Sequence, residues 1–104
     1  MSDVVTSGDI DFVPDRQRAR PVVLHVDDDG ASLLMAEGAL EDAGFDVVQA
    51  SDGREAVCRF HESLPDMIIM DAVMPVMDGF AAIAEIRRCA AGHHVPILMI
   101  TGLD

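Results

Sequence analysis

The sequence predicts an α/β fold built on a flavodoxin-like, doubly wound parallel sheet. From Pro21 onward, short apolar runs alternate with segments of helical period, which is the order typical of βαβ units. Two runs, 66–70 and 96–100, are apolar without alternation, as expected for strands that helices cover on both sides. With 104 residues, half of them apolar, the chain can form one globular domain. We expect its four strands to lie in the order 2-1-3-4.

The first half of the predicted domain contains two strands and the helix between them. The first strand is the run 22–26, and the second, weaker strand is 46–50. Apolar residues recur at helical spacing over 31–43, with Leu34 on the predicted inward stripe. Gly44 follows as a stop signal, because glycine tolerates the left-handed conformation in which many helices end. The three elements together predict a βαβ unit.

The second and third helices carry their own start signals. Asp52 and Glu55 have the spacing of a capping box, with Asp in place of Ser or Thr, and Pro65 prevents that helix from continuing. Asp78 can cap the third helix. Its periodicity places Phe80 on the inward side. These two helices would cover the sheet between the last three strands.

Residues 1–20 form the N-terminal extension of this domain. Ser, Asp and Gly are frequent in the extension, and neither helical nor strand period is present. Such segments are poorly ordered unless another element holds them. We therefore predict that the extension is flexible.

The charge balance excludes two classes of partner. The net charge is −12, and all seven basic residues are arginine. Nucleic acid and anionic membranes need a basic surface, so direct binding to either is excluded. No apolar run approaches the ~20 residues of a membrane span, and the start of the chain lacks the order of a secretion signal. Cys58 and Cys89 have no spacing typical of a disulfide framework or a zinc site, so we expect free thiols in a cytoplasmic protein.

Carboxylates directly follow two of the apolar runs. Asp27, Asp28 and Asp29 follow the first strand, Asp71 ends the third, and Thr101 closes the fourth. Because ligands bind outside the carboxyl ends of parallel strands, we expect Asp27, Asp28 and Asp71 to converge. Carboxylates a few ångström apart repel one another unless a cation or proton intervenes, and Mg²⁺ prefers oxygen ligands. An aspartate beside such a metal can also accept a phosphoryl group.

Four segments resemble the receiver domain of two-component response regulators. They are Val26-Asp27-Asp28-Asp29, Pro65-Asp66-Met67-Ile68-Ile69-Met70-Asp71, Met74-Pro75-Val76-Met77-Asp78-Gly79-Phe80 and Pro96-Ile97-Leu98-Met99-Ile100-Thr101-Gly102. Each segment is a weak signal, but the four in this order and spacing are specific. The resemblance covers the chain from about residue 21 to residue 104.

The resemblance implies a role for each matching position. Asp71 would be the phosphoacceptor, and Asp28 would bind Mg²⁺, or Mn²⁺, directly. Asp27 would act on the metal through water, the backbone carbonyl of Val73 would complete the metal site, and the Thr101 hydroxyl would turn toward the phosphoryl group. Four residues would shape the adjoining loop, namely Met74, Pro75, Asp78 and Gly79.

The resemblance further implies a signalling switch, with no catalysis beyond self-phosphorylation and self-dephosphorylation. A sensor histidine kinase or a phosphotransfer protein would donate the phosphoryl group, and a C-terminal effector domain or a bound partner would read the change. The stretch 99–104 is similar to receivers that are fused to cyclic-di-GMP enzymes. A stand-alone receiver, acting as a phosphate relay or a binding module, is the alternative within the family.

The chain departs from the family pattern on its C-terminal side. Receivers continue with a further helix, a fifth strand that ends in a lysine and a fifth helix, whereas this sequence has no lysine. We therefore expect residues 21–104 to be a receiver domain without its C-terminal part. The fourth strand would then be a bare apolar sheet edge, through which we expect self-association.

A haloacid-dehalogenase-like phosphatase is the alternative from another class. In such enzymes the first strand ends in an Asp-x-Asp pair and a second strand ends in threonine, a pattern that Asp27 and Thr101 imitate, with Asp27 as nucleophile. However, Ala31 stands where those enzymes have Thr or Val. Asp71 would also have no role, so the receiver interpretation is preferred.

Overall fold

The computed structural model describes residues 3–7 and 19–101 of the chain. Within these ranges the elements are β1 (Asp3–Ser7), β2 (Val22–Val26), α1 (Gly30–Asp42), β3 (Asp46–Ala50), α2 (Gly53–Ser63), β4 (Met67–Asp71), α3 (Gly79–Arg88), a 3₁₀ turn (Ala90–Gly92) and β5 (Ile97–Thr101). They form one five-stranded sheet in the order β1-β5-β4-β2-β3. Strands β3, β2, β4 and β5 are parallel, which confirms the predicted order of the four strands.

Strand β1 is the part of the sheet that differs from our expectation. It runs antiparallel to β5, with Asp3 opposite Thr101 and Ser7 opposite Ile97. Residues 3–7, expected to belong to a flexible extension, therefore cover the edge of β5 that we expected to be bare. Backbone groups of an edge strand can pair with any extended segment, whatever its side-chain period, so the sequence pattern did not signal this strand. The extension between residues 8 and 18 lies outside the described residues.

One face of the sheet carries the hydrophobic core. Helix α2 packs against β2, β3 and α3 on this side. The buried side chains of the core are Leu24, Val26, Ala50, Ala56, Phe60, Ile68, Met70, Ala72, Met74, Ala82, Ile86, Val95, Ile97 and Met99. Alternate residues of β4 and β5 point toward this core, and the residues between them are half-buried on the other face.

Helix α1 packs on the other face, against β3. None of its residues is fully buried. Leu34, which the helical period placed inward, is 70% exposed, and Phe80 of α3 is 62% exposed where we expected burial. In α3 the buried side is formed by Ala82 and Ile86. Both expectations were wrong because periodicity locates an apolar stripe but does not show whether a neighbouring element covers it.

The predicted start signals of α2 and α3 are confirmed. The Asp52 carboxylate accepts a hydrogen bond from the backbone N–H of Glu55 at 2.8 Å. The Asp78 carboxylate accepts one from the backbone N–H of Ala81 at 2.9 Å. Each bond satisfies an amide that has no partner within its helix, so both helix starts are fixed. Among the described residues, no helix is long and apolar enough to cross a membrane.

Candidate functional site

Three carboxylates meet at the carboxyl edge of the sheet. Strands β2 and β4 are parallel neighbours, so Asp27 and Asp28, which follow β2, lie beside Asp71 at the end of β4. One carboxylate oxygen from each of the three lies within 4.8 Å of the others. Asp28 is exposed, whereas Asp27 and Asp71 are half-buried. The structure therefore brings together the acidic cluster that the sequence predicted.

Backbone amides hold two of these carboxylates. The Oδ1 atom of Asp27 accepts a hydrogen bond from the amide of Asp29 at 2.9 Å, and Oδ1 of Asp71 accepts one from the amide of Val73 at 3.1 Å. Each bond leaves a second carboxylate oxygen available to a ligand. Asp29 itself caps α1, because its carboxylate accepts from the amide of Ala31 at 3.3 Å. Asp29 is thus a capping residue and not a member of the acidic cluster.

The cluster is electrostatically costly without a cation. Partial burial raises the pKa of Asp71 above its ordinary value, and the charges of Asp27 and Asp28 raise this pKa further. The hydrogen bond from the Val73 amide opposes these effects and lowers the same pKa. A divalent cation would relieve the repulsion, and three carboxylates supply the hard oxygen ligands that Mg²⁺ requires. The residues at this edge therefore fit a magnesium ion.

The loop after Asp71 is fixed by close backbone contacts. The amide of Gly79 donates to the carbonyl of Ala72 at 3.1 Å, and the amide of Gly53, at the start of α2, donates to the carbonyl of Met77 at 3.0 Å. A Cβ atom at Gly79 would collide with the carbonyl oxygen of Asp71, so glycine is required at that approach. The loop thus lies tightly against the end of β4.

The four residues expected to shape this loop occupy distinct positions in it. Met74 is buried, Pro75 is exposed, Asp78 caps α3 and Gly79 packs on the backbone of Asp71. These positions agree with a role in holding the loop. Their functional contribution stays a prediction.

Thr101 ends β5 at the same edge of the sheet. Asp71 pairs with Ile100 in the β4–β5 register, so Thr101 lies one residue beyond the position opposite Asp71. The backbone placement suits a residue that acts beside the cluster. The side chain of Thr101 lies outside the described part of the structure.

His25 is a member of this region that we did not assign to the site. It is 4% exposed, as expected for a packed core histidine, and it lies in the register between Gln49 and Ile69. Burial lowers the pKa of His25, while the charges of Asp27 and Asp71 raise it. Among the described residues, its Nδ1 atom is buried without a hydrogen-bond partner. His25 lies on β2 two residues before Asp27, which follows the strand, and this spacing was the signal that could have linked them.

Comparisons with known proteins agree with this geometry. The profile of the family described as "Response regulator receiver domain" matches residues 23–104. A probable transcriptional regulator of Guillardia theta is 43% identical over 81 residues, which are 78% of this chain and 31% of that protein. The chain thus spans about a third of the length of this curated relative.

Solved structures show the same similarity. Chemotaxis protein CheY4 of Vibrio cholerae matches with a TM-score of 0.75 and 41% sequence identity, covering 78% of this chain and 68% of that one. The receiver domain of a sensor histidine kinase from Pseudomonas aeruginosa PAO1 matches with a TM-score of 0.73 and 35% identity, covering 76% and 65% of the two chains. That second structure is described with a magnesium ion coordinated in the active site cleft.

Proposed function

Because the chain belongs to the family of response regulator receiver domains, which are signalling switches and not catalytic enzymes, we propose that it accepts a phosphoryl group on Asp71. The observation that carries the proposal is the acidic cluster, in which the Asp71 carboxylate lies within 4.8 Å of those of Asp27 and Asp28. Asp71 is the member that stands alone at the end of its strand. This position leaves room for a phosphoryl donor in front of it.

The surroundings of Asp71 suit it to act as the nucleophile. Its Oδ1 atom is held by the Val73 amide, so the second oxygen can attack phosphorus. The new O–P bond forms an acyl phosphate, and the bond from phosphorus to the imidazole nitrogen of a phosphohistidine donor breaks. The leaving imidazole then takes a proton from water.

The remaining residues of the cluster would hold a divalent cation. Asp28 and Asp71 would bind Mg²⁺, or Mn²⁺, directly, with the backbone carbonyl of Val73, and Asp27 would act through water. When bound, the metal would neutralise charge on the phosphoryl oxygens. Thr101, at the same edge, would donate a hydrogen bond to the phosphorylated side chain.

The proposed partners follow from the chemistry of a receiver. A sensor histidine kinase or a phosphotransfer protein in the cytoplasm would supply the phosphoryl group, and an effector would read the resulting conformational shift. The similarity to a transcriptional regulator of which the match covers only 31% supports a fused output domain. A fused cyclic-di-GMP enzyme and a stand-alone relay are the other proposed outputs.

Intact mass spectrometry tests the proposal. The chain is incubated with acetyl phosphate and Mg²⁺, and we expect an adduct of one phosphoryl group that EDTA prevents. Asp71→Asn should abolish the adduct. Asp42→Asn, which removes an exposed carboxylate at the far end of α1, is the matched control and should retain it. An adduct that persists in Asp71→Asn would overturn the assignment.

The same variants separate the receiver from the phosphatase alternative. A dehalogenase-like enzyme would turn over a generic aryl phosphate, and Asp27→Asn would abolish that turnover while Asp71→Asn would not. We expect no turnover in either variant or in the original chain. The family match supports this expectation, because it covers residues 23–104 as a receiver.

A further inference from the structure

Strand β1 brings another acidic residue to the carboxyl edge of the sheet. Because β1 runs antiparallel to β5, its first residue, Asp3, lies opposite Thr101 at that edge. Asp71 pairs with Ile100 on the other side of β5. Neighbouring strands are about 4.8 Å apart, so two strand spacings place the backbone of Asp3 about 10 Å from that of Asp71. The edge that carries the acidic cluster therefore ends in a further aspartate.

A carboxylate at this place opposes the approach of a phosphoryl group. The acidic cluster of Asp27, Asp28 and Asp71 already concentrates negative charge at the same edge. Charges about 10 Å apart still repel one another at low ionic strength, where the Debye length is about 30 Å. For an incoming group with two negative charges, this repulsion by Asp3 slows the reaction at Asp71 by about threefold.

Pairing with β5 is what holds Asp3 at the edge. Strand β1 is the terminal strand of the sheet, and among the described elements it makes its main contacts with β5. A short edge strand held by one neighbour opens locally at a lower free energy than the strands of the core. The position of Asp3 can therefore change while the four parallel strands stay folded.

The composition of β1 separates pairing from charge. Val4, Val5 and Thr6 are β-branched residues, which favour strands. Aspartate is depleted in strands, so the tendency of the segment to pair with β5 does not account for Asp3. The carboxylate at the end of β1 is thus the feature that the edge pairing leaves unexplained.

We propose that β1 is an autoinhibitory strap, which holds Asp3 at the edge where Asp71 lies and so slows the phosphorylation of Asp71. Release of β1 from β5 would take this charge away and raise the rate. The inference rests on the proposed function, because it requires Asp71 to accept the phosphoryl group. The pairing of β1 with β5 does not depend on phosphorylation.

The rate of adduct formation from acetyl phosphate measures the effect of the strap. The 104-residue chain reacts at saturating Mg²⁺ and low ionic strength, and intact mass spectrometry follows the adduct with time. A carboxylate oxygen of Asp71 forms the new O–P bond while the bond from phosphorus to the acetate oxygen breaks. Acetate leaves with the electrons of that bond.

A charge series at residue 3 tests the electrostatic origin of the inhibition. We expect Asp3→Asn to raise the rate about threefold and Asp3→Arg to raise it about tenfold, since each unit of charge contributes a similar factor. Both gains should fall below about 1.5-fold at about 1 M salt, where the Debye length is about 3 Å. Asp42→Asn, at the far end of α1, is the matched control and should change the rate by less than about 1.5-fold.

Prolines in β1 test whether the charge acts through the strand. Val4→Pro with Val5→Pro removes two successive amides, so a bond to β5 is lost whichever of the two faces that strand. This variant should raise the rate about threefold, and adding Asp3→Asn should then change it by less than about 1.5-fold. Ile10→Pro with Phe12→Pro places the same residues outside β1 and should leave the rate unchanged.

Hydrogen exchange reports the pairing of β1 independently of phosphorylation. Asp3→Asn should leave the protection of the β1 amides unchanged, because the substitution alters charge and not backbone pairing. The double proline variant should lose protection at the amides of β5 that face β1. If the proline variant aggregates, the charge series at residue 3 still decides the proposal.

Three results would contradict the autoinhibitory strap. One is an unchanged rate in both Asp3→Asn and Asp3→Arg, which would leave β1 as a cover for the edge of β5. Another is an equal gain from Asp3→Asn with and without the prolines, which would show that the charge acts without the strand. The third is a gain that persists at about 1 M salt, which would exclude a screened charge as its cause.

The results also distinguish this inference from the proposed function. If none of these chains forms an adduct on Asp71, both proposals fail together. If the adduct forms on Asp71 at the same rate whatever residue stands at position 3, the autoinhibitory strap is wrong and the receiver chemistry stands.

Discussion

The two faces of the sheet are covered to very different extents. Val26, Met70 and Met99 lie side by side in the register of β2, β4 and β5, and each is at most 3% exposed beneath α2 and α3. One residue earlier on β4 and β5, Ile69 and Leu98 point to the other face and are only half-buried. Strands β4 and β5 therefore have a closed face and an open face, whereas on β2 the residue in the same row as Ile69 and Leu98, His25, is only 4% exposed.

Asp71 of the candidate site and His25 lie on the open side. His25 occupies the row of Ile69 and Leu98, and Asp71 follows Ile69 by two residues on the same side of β4. His25 has an unpartnered Nδ1 atom, and the pKa of Asp71 is raised by burial and by neighbouring charges. Both features cost stability. One sheet thus has its well-packed contacts on one face and these two costly groups on the other.

The contrast between the faces should be widest for two neighbouring residues of β5. Met99→Ala removes a buried side chain from the closed face and should lower the free energy of unfolding by about 3 kcal/mol. Leu98→Ala removes a half-buried side chain from the open face and should cost about 1 kcal/mol. Urea denaturation of both variants measures the difference. Equal losses would show that the open face is as well packed as the closed one.

Much of this architecture is predictable from the sequence. The strands at 22–26 and 46–50 lie at the predicted residues, and those predicted at 66–70 and 96–100 begin one residue later. Apolar runs with flanking stop signals are local properties, which explains this success. The exposure of Leu34 is not local, because it depends on what else packs against α1. Strand β1 was missed for a related reason, since its partner is about ninety residues away in sequence.

The acidic cluster was predictable because topology creates it. Carboxylates at the ends of neighbouring parallel strands must meet at one edge, so the sequence alone was enough to group Asp27, Asp28 and Asp71. The turn at Val76 could not be predicted, because valine rarely adopts positive φ and gives no signal for it. The burial of the His25 Nδ1 atom without a hydrogen-bond partner among the described residues could not be predicted either, because burial depends on the packing of the folded chain.

His25→Leu should have the next largest effect, a gain in stability. The histidine buries a polar atom without a partner among the described residues, and an apolar side chain of similar size removes that desolvation cost. We expect the free energy of unfolding at about pH 7.5 to rise by about 1–2 kcal/mol. Thermal or urea denaturation of both chains measures this change in the free energy of unfolding. A loss of stability would show that Nδ1 has a favourable interaction in solution.

The same substitution should change the response to acid. Burial lowers the pKa of His25 in the folded chain, so the unfolded chain takes up the proton first as the pH falls below the ordinary value of 6.5. The original chain should therefore lose stability through this group as the pH falls below 6.5, and His25→Leu should not. The charges of Asp27 and Asp71 oppose the shift and reduce its size. Identical pH profiles for the two chains would contradict a lowered pKa.

Asp71→Asn should change the free energy of unfolding by a smaller amount. Asparagine has nearly the same shape as aspartate, so this variant removes the charge and keeps the packing. The pKa of Asp71 is raised in the folded chain, so the folded state holds this proton more tightly than the unfolded state does. Stability is therefore lost as the pH rises from the ordinary value of 3.8 through the folded pKa, and the loss remains at neutral pH. Asparagine has no such loss, so the variant should be slightly more stable at about pH 7 and should lose this advantage below pH 3.8.

Addition of Mg²⁺ should narrow or reverse the difference in stability between Asp71→Asn and the original chain. A cation that binds the folded chain stabilises the original carboxylate cluster more than a cluster that lacks one ligand. Denaturation curves at several Mg²⁺ concentrations measure both effects, with Asp42→Asn as the control for loss of an exposed carboxylate. If Mg²⁺ stabilised Asp71→Asn as strongly as the original chain, the metal would not be bound at this edge. The open side of the sheet would then carry a charge penalty that no ligand offsets.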